Sequence, residues 1–83
     1  MTDHLTIRHS TERDRPRIRE LAELDDRPAP VGDTLLAEVE GRVLAAVGVD
    51  DGGAVADPFR PTGDLVALLL VRAEQERVSR LAA

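Results

Sequence analysis

Apolar and polar residues change rhythm several times along the chain, and each rhythm predicts an element. From His4 to His9 (HLTIRH), Leu5 and Ile7 alternate with Thr6 and Arg8, the period of a half-buried strand. In the following STERDRPRIRELAELDD, Ile18, Leu21 and Ala22 stand at i, i+3 and i+4 with Leu24 nearby. That is the apolar stripe of an amphipathic helix, and its Arg and Glu residues form the solvated face. Thr11 and Asp14 resemble a capping box, and Pro16 fits only a first turn, so this helix starts near Thr11 to Asp14.

Arg27 to Asp33 (RPAPVGD) carries two prolines and a glycine and reads as a loop. Thr34–Val39 (TLLAEV) and Arg42–Val49 (RVLAAVGV) then flank Glu40-Gly41, the pattern of two strands about a tight hairpin. A turn at Asp50-Asp51-Gly52-Gly53 leads into a short strand, AVAD. The last stretch, to Leu81, opens with Pro58 and Pro61 around Phe59 and Arg60, which hold the backbone extended or turned. Thr62 can cap the helix that follows, and Asp64 suits its positive end. Leu65 to Val71 (LVALLLV) is apolar on every side, which predicts burial on more than one face. From Ala73 to Leu81 (AEQERVSRL) only Ala73, Val78 and Leu81 are apolar, so the last turns lie mostly in water.

The order strand, helix, three-strand meander, helix predicts an α+β domain. Its four-stranded antiparallel sheet (β-α-β-β-β-α) is packed with two helices in two or three layers. Residues 1–83 form a single domain near the lower size limit for independent folding. One Phe and no Trp, Tyr or Cys leave a core of Leu, Val, Ala and Ile with no disulfide to staple it. Self-association is then the remaining route to stability. The net charge of −5 argues against nucleic acid as a partner. No apolar leader or membrane-length segment stands out, so a soluble, cytoplasmic protein is expected.

The opening TIRHSTERDRPRIRELAEL, the hairpin LLAEVEGRVLAAVGV and the step PFRPTGDLVALL resemble the N-terminal half of the GNAT superfamily of N-acetyltransferases. In that family a loop of the form Arg/Gln-x-x-Gly-x-Gly/Ala and the helix start after it receive the pyrophosphate of acetyl-CoA. The resemblance places Arg60 and Gly63 at the first two marked positions, with Thr62 between them and Leu65 at the third. It also implies a truncated domain, because the family's later strands and its frequent Tyr general acid have no counterpart here. The expectation is therefore a domain without independent acetyltransferase activity and with no cofactor, acetyl-CoA being the one the family would bring.

Among residues with chemistry to offer, His4 and His9 face opposite sides of a regular strand and do not converge, so no metal site is expected. Asp50, Asp51 and Asp57 lack calcium-loop spacing and read as turn and cap residues. Glu38 reads as an outward surface carboxylate. By the resemblance, Asp57 is the nearest equivalent of the carboxylate that deprotonates an amine near the fourth strand, a weak catalytic candidate. The favoured reading is a homodimer that covers the apolar helix flank, through Leu65, Leu68 and Leu69, together with the open edge of the fourth strand. Two others stay open: an acetyl-CoA enzyme whose site two chains complete, and a module that docks on a different protein through the same helix.

Overall fold

A computed structural model describes residues 4–82. Strand β1 (Leu5–His9) leads through a 3-10 turn (Glu12–Asp14) into helix α1 (Arg15–Leu24). Strands β2 (Thr34–Val39), β3 (Arg42–Gly48) and β4 (Ala54–Ala56) follow, and helix α2 (Gly63–Ala82) closes the order. The sheet runs β1-β2-β3-β4 with every neighbour antiparallel. This is the α+β, four-strand, two-helix architecture that the hydrophobic pattern predicts.

The helices lie on opposite faces, which settles the layering at three. Ile18, Leu21 and Ala22 of α1 pack with Leu36, Val43, Ala46 and Val55. Leu69 and Ala73 of α2 pack with Leu35, Ala37, Ala45, Val47, Val49 and Ala56. Strand β2 is thus buried on both sides, which explains why its apolar run is continuous. Val43 and Ala46 share a face although they are an odd number of residues apart. The β2–β3 register shifts between Ala37 and Glu38, and this bulge turns the start of β3 over.

Local chemistry fixes the ends. The Asp14 carboxylate accepts the Thr11 N–H at 2.7 Å and the Thr11 hydroxyl at 3.2 Å, closing the box with Asp in place of Glu. In the hairpin, Glu40 (φ 52) and Gly41 (φ 79) both take positive φ, the conformation of a two-residue turn matched to strand twist.

Helix α2 is buried within the chain on one face, where burial on more than one is expected. Within the chain Leu69 and Ala73 are fully buried, whereas Leu68, Leu70 and Val71 are exposed. A single sheet can cover only one side of a helix, so LVALLLV supplies one inward stripe and leaves the rest bare.

Candidate functional site

The turn from Asp57 to Gly63 joins β4 to α2 and is organised by Asp57. Its N–H continues the ladder to the Leu44 carbonyl, and its Oδ1 accepts the Phe59 N–H at 2.9 Å. Its Oδ2 lies 3.9 Å from Arg17 Nη2, a buried nitrogen with no hydrogen-bond partner among the described residues. Arg17 reaches there because its Nε donates to the Val43 carbonyl at 2.9 Å and its Nη1 pairs with Glu20. A buried carboxylate held by a backbone donor and facing a guanidinium is a structural cap. Oδ1 thus serves the turn expected of Asp57, and Oδ2 faces the Arg17 guanidinium without a hydrogen bond.

Arg60 and Gly63 are exposed and Thr62 is half-buried. The Thr62 carbonyl accepts the Val66 N–H at 2.9 Å, the first helical bond of α2. Beyond its own neighbours in the chain and helix, a Cβ built on Gly63 would meet no atom of the described residues within 4 Å, so that side of the turn is open. Leu65 is half-buried and packs with the core on the α2 side of the sheet, leaving that space clear.

The outer side of α2 is the most distinctive surface. Ala67, Val71, Glu74, Val78 and Leu81 follow one another at alternating steps of four and three, and all five are exposed. Leu70 borders this stripe at 42% exposure, with Val71 at 53%, Val78 at 58% and Leu81 at 87%. Val66, Leu69, Ala73, Glu76 and Arg80 repeat the same spacing on the side that meets the sheet. Of the three expected interface residues, only Leu68 stands exposed on the flank. Leu69 has no exposed surface and belongs to the core, so its place in an interface is corrected.

The other end of α2 gathers ionisable groups. His9 Nδ1 lies 2.8 Å from Asp33 Oδ1, and His9 Nε2 lies 3.1 Å from Glu76 Oε2. Arg80 contacts Asp33 Oδ2 at 2.6 Å and Asp50 Oδ1 at 2.8 Å, and Arg77 donates to the Val49 carbonyl. The hydrogen bond to Asp33 raises the His9 pKa against burial, and the charges of Asp33 and Glu76 add to the rise. The same bond lowers Asp33, helped by Arg80. His4 precedes β1, and the partners of His9 come from a loop and a distant helix. A His and two carboxylates brought together by tertiary folding leave no sequence motif.

Asp51 keeps the turn role expected of it, accepting the Gly53 N–H at 2.8 Å. Glu38 is more than a surface carboxylate. With Asp14 it holds the Arg8 guanidinium, at 3.0 Å and 2.8 Å. A cavity of about 310 Å³ opens between the start of α1 and the loop before β2, bordered by Thr11, Arg15, Ile18, Arg19, Pro30 and Asp33.

No protein-family model, curated protein or solved structure matches the chain. No helix among the described residues is long and apolar enough to cross a membrane.

Proposed function

We propose that this chain is a small GNAT-like domain that works as a homodimeric interaction protein, without independent acetyltransferase activity. Its two copies meet along the outer side of α2. The observation that carries this reading is the second apolar stripe of α2, running through Ala67, Val71, Val78 and Leu81 with Leu70 beside it. Alternating steps of four and three are the spacing at which two helices interlock side chains. A two-fold axis brings such a stripe onto itself, so a second copy is the occupant whose pattern matches automatically. A specific interface needs on the order of 1,000 Å² of total burial. About four turns of helix from each copy, with Leu68 on the flank, are of that scale. Glu74 interrupts the stripe, and a polar seam position restricts register at a cost in stability. Sedimentation of the intact chain against a Leu70→Arg/Val78→Arg variant tests the reading, with a dimer expected only for the unaltered chain.

A second reading is favoured by the open first turn of α2. The space at Gly63, exposed Arg60 beside it and the inward course of Leu65 suit an anion at a helix start. Acetyl-CoA is the ligand this reading names, with the second copy completing the site. A rise in melting temperature with millimolar acetyl-CoA, lost in Arg60→Ala, would support it. No rise would leave the interaction role alone.

A further inference from the structure

We propose that His9, Asp33 and Glu76 form a binding site for a divalent metal ion of the zinc class. One ligand atom from each residue lies within 4.8 Å of the other two. Asp33 and Glu76 face different ring nitrogens of His9, so an ion at roughly 2.0–2.2 Å from its donors takes one nitrogen, displaces the hydrogen bond there and draws the other carboxylate toward it. The backbones behind them are fixed: His9 pairs with Leu35 in the sheet, the Asp33 carbonyl accepts the Val49 N–H, and Glu76 sits within α2.

The donor set suits the ion. One neutral imidazole and two carboxylates supply a charge of −2 and a mixed nitrogen and oxygen shell, which fits Zn²⁺. Arg80 holds Asp33 through Oδ2, leaving Oδ1 to face His9. This is the outer-shell support that orients a carboxylate ligand. The side chains of His9, Asp33 and Glu76 are 50%, 34% and 33% exposed, so an ion can enter and a water can fill the fourth position. Glu76 also projects from the side of α2 opposite the Ala67–Leu81 stripe, so an ion there leaves the proposed dimer seam free.

The test is calorimetric titration of the intact chain with ZnCl₂ near neutral pH, paired with NMR line broadening by Mn²⁺. Saturable binding of one ion per chain is expected. His9→Gln and Glu76→Gln should each weaken it at least tenfold, and Arg80→Gln by about tenfold through its hold on Asp33. His4→Gln should leave it unchanged, which separates this site from the exposed histidine nearer the N-terminus. Broadening in the unaltered chain should centre on His9, Asp33 and Glu76, a readout that does not depend on any variant folding. No saturable binding, equal binding by His9→Gln, or broadening centred on other carboxylates would overturn the proposal.

Discussion

The Asp25 carboxylate, just past the end of α1, accepts the Ala56 N–H at 3.1 Å. The ladder bonds of β4 to β3 run through Gly53 and Asp57, so Ala54 and Ala56 turn their backbone groups to the open edge. Asp25 satisfies one of those groups and sets a negative charge where an added strand would have to pair. The expected dimer covers the β4 edge and the helix flank with one interface. In the structure they are distinct: the edge is guarded by a side chain, and the outer side of α2 is bare.

Asp25→Ala should therefore cost about 1 kcal/mol, the scale of one lost hydrogen bond at a half-exposed site. It should also hasten aggregation through the freed edge. Asp25→Asn keeps an acceptor and should retain most of the stability. Urea denaturation and light scattering of both variants check this, and equal behaviour of Ala and Asn would remove the edge-guard role.

Leu69 and Leu70 are neighbours in sequence with opposite environments. Leu69→Ala should cost about 2–5 kcal/mol at any protein concentration, as a large-to-small change in a core does. Leu70→Ala should cost less than about 0.5 kcal/mol in dilute monomer. At higher concentration it should lower stability further by weakening association. Denaturant midpoints measured over a range of protein concentrations distinguish the two.

Asp14 gives the pH dependence a sign. The hydrogen bond from Arg8, with those from Thr11, holds its carboxyl well below the ordinary carboxylate value, against the opposing effect of burial. A depressed folded-state pKa adds stability above the unfolded value of 3.8, and that stability is lost as pH falls. Acidification from about pH 5 should thus destabilise the protein progressively. Asp14→Asn should be less stable at pH 7 and show a flatter acid limb. An equal loss of stability between pH 7 and pH 3 in Asp14→Asn and the unaltered chain would contradict this.

The hairpin offers a stabilising substitution. Glu40 takes a positive φ that Asn tolerates better, so Glu40→Asn should add roughly 0.5 kcal/mol. Gly41→Ala at φ 79 should cost about 1 kcal/mol. Thermal melts of the two variants should move in opposite directions.

Much of the fold was legible because its signals are local. Leu5 and Ile7 alternate, Ile18, Leu21 and Ala22 recur at helical spacing, and Glu40-Gly41 sits between two apolar runs. Each feature is complete within one element. The run Leu65–Val71 was less legible because a continuous apolar stretch has no phase, so nothing local shows Leu69 inward and Leu70 outward. The candidate sites were harder still. Asp57 acquires its role from Arg17, and His9 acquires its neighbours from Asp33 and Glu76. Those partners are set by the order of the strands and by the face on which each helix packs. Nothing in the spacing of the residues encodes them.

The outer stripe of α2 is the centre of the account, and the mass of the protein in solution tests it most directly. Sedimentation equilibrium over a hundredfold concentration range should show a monomer–dimer equilibrium for the intact chain. The Leu70→Arg/Val78→Arg variant, folded by circular dichroism, should remain monomeric throughout. A monomer for the intact chain over the whole range, or an undiminished dimer in the folded variant, would contradict the account.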